Sequence, residues 1–261
     1  MIGLFLGDTD FSKIVLKKVK KLKKEYFIID FSNKNNFAKE KNSYRISIGK
    51  FGKIIDLIKK QKSKKVLFAG KIAKPKFSTL RLDLKGIYYM PSIIKAAKLG
   101  DAAIIKVIIE ILKNEKIDVI SSIHFNPELT GKKGLHTKIK PSRTDIESIN
   151  TGIKYLANTN SYDHIQALVV SDNKIIAKED NRGTKKMMSK LKNNSGGILI
   201  KFPKKKQDLR IDLPTIGIQT IKDCKKYGLK GIVLKSKKNI FLDKSKSIEF
   251  ADKNKIFILI K

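Results

Sequence analysis

The chain has 261 residues, 41% of them apolar, with 58 Lys or Arg against 24 Asp or Glu and a formal net charge of +34. This length suits two small domains, and the apolar content can fill a buried core, which excludes a disordered chain. One cysteine, Cys224, excludes an intrachain disulfide, and no run of about 18 apolar residues marks a transmembrane helix.

In chain order, Ile2–Leu6 is a short apolar run that reads as a buried strand, and Gly7-Asp8-Thr9-Asp10 as the turn into a helix over Phe11–Leu22. Phe27–Ile29 is a second strand, Phe51–Lys60 a helix, and Lys65–Ala69 a third strand ending at Gly70. Helices follow at Pro91–Ala97 and Asp101–Leu112, then a fourth strand at Val119–Ser122. Strands alternating with helices predict a parallel sheet with helices on both faces. Residues 126–142 carry Pro127, Gly131, Gly134 and Pro141 and read as the connection between a domain over 1–130 and another over 131–261. The second half restarts with a helix at Arg143–Ala157 and a hairpin, Ala167–Ser171 and Ile175–Ala177, turning at Asp172-Asn173. Gly183-Thr184 opens a helix over Lys185–Leu191, and Gly197–Lys201 is a strand. Thr215–Lys226 reads as a helix, followed by strands at Gly231–Leu234, Ile240–Leu242 and Ile256–Ile260 with a helix at Lys244–Lys253. The expected class is α/β, with a Rossmann-like N-terminal domain and a C-terminal α/β domain.

The positive charge does not by itself make nucleic acid the expected partner. Only Arg45, Arg81, Arg143, Arg182 and Arg210 are arginines, and the lysines run the whole length with no basic–aromatic stripe. Solvated lysine faces are the plain reading. A preference for an anionic partner, such as a membrane surface or a phosphorylated substrate, is the alternative. The N-terminal MIGLFLGDTDFSK lacks the regions of a signal peptide, so a cytoplasmic protein is expected.

Three constellations could carry chemistry. In Gln207–Gly217, extended spacing would put Asp208, Arg210 and Asp212 on one face, with Pro214 and Thr215 starting and capping a helix. Acids there could hold a divalent ion against a phosphate. The segment also reads as a surface turn with a solvated Asp–Arg pair. The second is Gly70-Lys71-Ile72-Ala73-Lys74-Pro75 at the end of a predicted strand, where parallel sheets bind ligands, with Gly7-Asp8-Thr9 a weaker equivalent. An ordinary strand exit is as good a reading. The third is Glu179 with Gly183-Thr184 and Gln166, where N-capping by Thr184 is the simpler account. His124, His136 and His164 share no metal-ligand spacing, and Cys224, with no histidine near it in sequence, reads as a structural thiol.

The segments IGKFGK (Ile48–Lys53), FAGKIAKPKFSTLRLDLKG (Phe68–Gly86), MPSIIKAAKLGDAAIIKVI (Met90–Ile108) and QDLRIDLPTIGIQTI (Gln207–Ile221) resemble the LpxI-type UDP-2,3-diacylglucosamine pyrophosphatases of lipid A synthesis. The order and spacing fit nearly the whole chain. The resemblance implies hydrolysis of UDP-2,3-diacylglucosamine to UMP and 2,3-diacylglucosamine 1-phosphate, by water attack on the α-phosphorus with Mg²⁺ or Mn²⁺. It implies that Asp212 is the essential aspartate, with Asp208 and Arg210 beside it and Asp212 and Glu179 as metal ligands. Gln166, Gly183, Thr184, Lys185, Lys201 and Thr215 would then meet substrate from the C-terminal half, and Gly7, Thr9, Gly70, Lys71, Lys74 and Pro75 from the N-terminal half. A homodimer, transiently seated on the inner face of the inner membrane and without a nucleic-acid partner, is expected. The chain departs from the family pattern at Asp8 and Asp10, where small residues are usual, and at Arg182 and Lys185, where acids are usual. Those departures motivate the alternative of a catalytically weak nucleotide-sugar or lipid-binding protein on the same fold.

Overall fold

The computed structural model describes residues 1–73, 75–159, 165–180, 182–191, 196–204 and 207–261. The chain divides into two compact units, one of Met1–Pro127 with Asp208–Asp212, the other of Glu128–Gln207 with Leu213–Lys261. No helix among the described residues is long and apolar enough to cross a membrane.

In the first unit, strands β1 (Ile2–Leu6), β2 (Tyr26–Asp30), β3 (Ser43–Tyr44), β4 (Lys65–Ala69) and β5 (Asp118–Val119) form a sheet in the order β3-β2-β1-β4-β5, with every pairing parallel. The run Leu4-Phe5-Leu6 is buried because helices cover the sheet, which is what its unbroken apolar character requires. Helix α1 (Asp10–Lys21) buries Phe11, Val15, Leu16 and Val19, positions three to four apart, and leaves its lysines outside. Helices α2 (Phe51–Lys60) and α4 (Asp101–Asn114) pack Ile54, Ile55, Ile58, Ile109 and Leu112 onto the aromatic layer of Phe5, Phe27 and Phe68. The chain leaves β1 toward β2 and later returns on the other side of β1 as β4. The switch in direction therefore falls between the carboxyl ends of β1 and β4, at Gly7 and Gly70.

The helix predicted from Pro91 begins seven residues earlier: α3 spans Leu84–Leu99, and Pro91 lies inside it. Its start is set by Asp83. The Asp83 carboxylate accepts from the backbone N–H of Gly86 at 2.8 Å and also from those of Gly52 at 3.1 Å and Lys53 at 3.0 Å. One side chain thus caps α3 and the first turn of α2. The glycines make room for this: a Cβ on Gly86 would stand 2.2 Å from the Gly49 carbonyl oxygen. Burial works against a charged Asp83, but the N–H donors outweigh it and hold the carboxyl below its usual value. A carboxyl lowered on folding contributes stability above its unfolded pKa and loses that contribution as pH falls through the folded one. Asp83→Ala is therefore expected to cost about 2 kcal/mol at neutral pH, as loss of a double cap should. The gap from the parent should narrow below about pH 4, as denaturant titrations at the two pH values would show. A gap unchanged with pH would mean that the carboxylate charge is not what caps the helices.

In the second unit, strands β6 (Gly134–Leu135), β7 (Ala167–Ser171), β8 (Lys174–Lys178), β9 (Ile198–Lys201), β11 (Gly231–Leu234) and β13 (Phe257–Ile260) form a mixed sheet in the order β6-β13-β11-β9-β7-β8. Strands β9, β11 and β13 are parallel, whereas β7 runs antiparallel to both β8 and β9. The β7–β8 turn uses positive φ at Asp172 and Asn173, 47° and 59°, as the Asp-Asn pair predicted. Helix α5 (Arg143–Asn158) starts on a capping box between Ser142 and Asp145. Helix α8 spans Lys244–Lys253, and a two-stranded pair joins β10 (Thr215–Ile216) to β12 (Ile240–Phe241).

Several element boundaries differ from the sequence expectation. The fourth strand is Asp118–Val119, because the chain turns into a short 3-10 helix at Ser122–His124 under a Ser121 cap. Within 126–142, Gly134–Leu135 joins the sheet edge beside β13. The helix after Gly183-Thr184 is α6 (Gly183–Met188), shorter than predicted. Helix α7 (Ile218–Lys226) begins at Ile218, not Thr215, because Thr215 and Ile216 are drawn into ladder bonds with Ile240 and Phe241. Thr215 Oγ1 donates to the Leu213 carbonyl at 3.1 Å and caps no helix.

Candidate active site

In the first unit the two glycine loops are built as one piece. Asp8 and Lys71 exchange backbone hydrogen bonds of 2.8 and 2.7 Å, and the Gly7 N–H donates to Ala69 at 2.9 Å. A Cβ on Gly7 would lie 2.3 Å from the Lys71 carbonyl oxygen. Gly70 has a φ of +83°, and its Cβ would lie 2.0 Å from Ser12 Oγ. Both positions therefore require glycine. The buried Ser12 hydroxyl sits 2.8 Å from the Gly7 and Ala69 carbonyls and ties α1 to both loops. Thr9, at φ 114°, holds a conformation rare for a residue with a side chain, and such strain gathers at functional loops. The acids of this turn have structural work. Asp8 accepts from the Asn33 backbone at 3.1 Å and the Asn36 amide at 3.4 Å, and Asp10 pairs with Lys13 at 3.2 Å. Lys71 is exposed and Pro75 half-buried, whereas Lys74 lies outside the described residues.

In the second unit four expected residues meet in one hydrogen-bonded chain. The Lys201 ammonium donates to Thr184 Oγ1 at 3.0 Å, and that hydroxyl donates to Glu179 Oε1 at 2.5 Å. The other oxygen, Glu179 Oε2, accepts from the Gln166 N–H at 3.2 Å. Gln207 extends the chain through its amide to Gln166 Oε1 at 3.4 Å, and its own carbonyl accepts from the Lys204 N–H at 2.9 Å. Glu179, Lys201 and Gln207 are 5%, 8% and 7% exposed, so the opposite charges are buried and joined through one hydroxyl. The topology causes this meeting. Lys201 ends β9 and pairs with Ala167, the first residue of the antiparallel β7, while Lys178 at the end of β8 pairs with Leu168. Gln166, Glu179 and Lys201 therefore lie at the same end of three neighbouring strands.

Thr184 consequently spends its hydroxyl on Glu179 and makes no cap; the residue before α6 is Arg182, which contributes no side-chain cap either. Gly183 takes a φ of +84° at the head of this helix. Arg182 turns back on Asp180, through Nε at 3.0 Å and a shorter Nη2 contact, and holds that carboxyl well below the usual range. Lys185 is exposed.

The stretch Asp208–Asp212 is a turn and not an extended strand. The N–H groups of Ile211 and Asp212 both donate to the Asp208 carbonyl, at 3.2 and 2.9 Å. Ile211 packs against the first unit's aromatic layer. Arg210 forks onto Asp208 at 3.0 and 2.7 Å and lowers its carboxyl below the ordinary value. The half-buried Asp212 stands at the end of that turn. Pro214 follows it in the chain and is buried.

Among the described residues, no group of three or more His, Cys, Asp or Glu is placed to hold a metal ion. His136 Nε2 pairs with the Lys132 carbonyl at 2.8 Å, His124 packs edge-on to Phe125, and His164 lies outside the described residues. Cys224 is buried, and burial pushes its thiol up, which excludes a resting thiolate and keeps it structural. Sequence reading singled out neither Ser12, Gln207 nor Asn239. Asn239, 2% exposed, donates to the Lys201 carbonyl at 3.0 Å and accepts from the Lys235 N–H at 2.9 Å.

Two α/β units, each with its candidate residues at the ends of its strands, define a two-domain α/β enzyme. The LpxI N-terminal domain family matches residues 1–129 and the LpxI C-terminal domain family matches residues 132–259. The chain belongs to the LpxI family. It is 30% identical over 224 residues to the UDP-2,3-diacylglucosamine pyrophosphatase LpxI of Caulobacter vibrioides, covering 82% of this chain and 80% of that one.

Proposed function

We propose that this chain hydrolyses the pyrophosphate of UDP-2,3-diacylglucosamine, releasing UMP and 2,3-diacylglucosamine 1-phosphate for lipid A synthesis. The observation that carries the proposal is likeness along both domains to a relative of that name. Pyrophosphate hydrolysis spreads charge over phosphoryl oxygens, so catalysis consists mainly of positioning and of cations placed beforehand. The Gly7 and Gly70 loops offer backbone at close approach. Lys201, held by Thr184, is a fixed cation, and Thr184 with Glu179 sets its position. Arg210 is partly neutralised by Asp208, and Asp212 is the acid proposed to serve the attacked phosphate.

Mg²⁺ or Mn²⁺ is the proposed cofactor. Such an ion needs only one or two carboxylates when phosphate and water complete its shell, so the lack of a three-residue cage is compatible with it. Asp212 fits that role. Glu179, whose two oxygens each accept one hydrogen bond, from Thr184 and from Gln166, would bind the ion through a second lone pair. Bound ion would polarise phosphoryl oxygens and acidify a water nucleophile. A homodimer and a transient seat at the inner-membrane surface belong to the same proposal, supported by the family resemblance and the charge of +34.

UMP release from detergent-dispersed UDP-2,3-diacylglucosamine tests it, after chelation and with Mg²⁺ or Mn²⁺ restored. Release that stops with chelator and returns with metal is expected. Undiminished release under chelation removes the cofactor, and no release under any condition overturns the activity and favours the binding protein.

A further inference from the structure

Helix α3 buries Gly86, Met90, Ile93 and Ala96, positions that fall on one face. The opposite face is apolar as well. Leu84 is 86% exposed, Ile87 59% and Tyr88 77%, with Ile94 at 40% further along. At 100° per residue, Leu84, Ile87, Tyr88 and Pro91 form one contiguous stripe, and Lys95 and Lys98, both exposed, continue it toward the C-terminus. Single exposed apolar residues are ordinary, but a stripe over two turns marks an interaction surface. Pro91 suits such a face: the N–H it lacks leaves the Ile87 carbonyl without its helical donor, on the side open to solvent.

Beside the N-terminus of α3 lies a cleft of about 510 Å³, lined by Arg45, Lys50, Lys53 and Arg81 and by no acidic side chain. Cleft and stripe are joined covalently and by hydrogen bonds. Arg81 lies three residues before Leu84, and the Lys53 N–H is held by Asp83. Cations at one end, lysines at the other and apolar residues between them are the pattern of a helix lying in a bilayer interface, its apolar side among acyl chains and its charges at phosphate depth.

We infer that α3 is the membrane-docking surface of this protein and that it seats on an anionic phospholipid bilayer, with the Arg45–Lys50–Lys53–Arg81 cleft against head-group phosphates. Charge complementarity decides the occupant. A second copy of the chain would bring its own +34 to the same cations, whereas an anionic leaflet neutralises them. The inference rests on the membrane seat proposed above and identifies the surface that makes it.

The full chain, sedimented with vesicles of phosphatidylglycerol and phosphatidylcholine and separately with phosphatidylcholine alone, provides the test. The parent is expected to bind the anionic vesicles at least about tenfold tighter, and to release them in high salt. Leu84→Ser, Ile87→Ser and Tyr88→Ser together should weaken that binding by on the order of tenfold or more, and so should Lys53→Glu with Arg81→Glu. UMP release from detergent-dispersed substrate should stay within about twofold for both variants, which separates failure of the docking surface from failure of the activity. Equal vesicle binding by parent and triple variant overturns the inference. So does a fall in native mass of the triple variant in solution, which would assign the stripe to a second copy.

Discussion

Asp212→Ala is expected to lower UMP release by about 100-fold or more while leaving the melting temperature near that of the parent. The structural basis is that the shape of the Asp208–Asp212 turn comes from backbone bonds to the Asp208 carbonyl and from Ile211 in the aromatic layer, neither of which needs the Asp212 carboxylate. Asp212→Asn keeps the volume and one oxygen and should be nearly as inactive if charge is what serves the phosphate. A steady-state assay at saturating substrate separates the outcomes. A fall in kcat with little change in KM assigns Asp212 to the reaction step. Unchanged UMP release would sink the assignment, and a large loss of melting temperature in both variants would make the residue structural.

The second large effect is at Glu179. Removing its side chain leaves the Gln166 N–H and the Thr184 hydroxyl without their common acceptor, and takes away the carboxylate that Lys201 reaches through Thr184, where Glu179 itself is only 5% exposed. Leaving two buried donors without their acceptor is costly, so Glu179→Ala is expected to destabilise the second unit by about 3 kcal/mol. Glu179→Gln keeps an oxygen for one donor and should cost roughly half as much. Denaturant titration gives the stabilities, and UMP release should fall with both variants because Thr184 loses the carboxylate that orients it toward Lys201. A cost below about 1 kcal/mol for the alanine variant would mean that water replaces the carboxylate and that the relay does not hold Lys201 in place.

The departures from the family pattern take on physical meaning in this light. Asp8, where the resemblance implies a small residue, ties the first glycine loop to Asn33 and Asn36. Arg182 is consumed by Asp180, and Lys185 is exposed on α6. Both are exposed cations beside Thr184, and of the two Arg182 is the one paired with Asp180.

The strands and helices of both units are legible in the sequence because a buried parallel strand is an unbroken apolar run and a covering helix repeats every three to four residues. Ile2–Leu6, Phe51–Lys60 and Lys65–Ala69 fall where those patterns put them. Gly7 and Gly70 are legible as loop residues for the same reason, as each follows such a run directly. Other features depend on partners distant in sequence. Asp83 sets the start of α3 and also caps α2, because Gly52 and Lys53 come within reach of its carboxylate. Thr215 and Ile216 form a strand and not a helical turn, since Ile240 and Phe241 lie beside them. The gathering of Gln166, Glu179, Thr184 and Lys201 required β7 to run antiparallel between β8 and β9, a pairing that local periodicity does not encode. The α3 stripe is of the same kind. Apolar residues lie all around that helix, and tertiary packing alone decides that Met90 and Ile93 go inside while Leu84, Ile87 and Tyr88 stay in solvent.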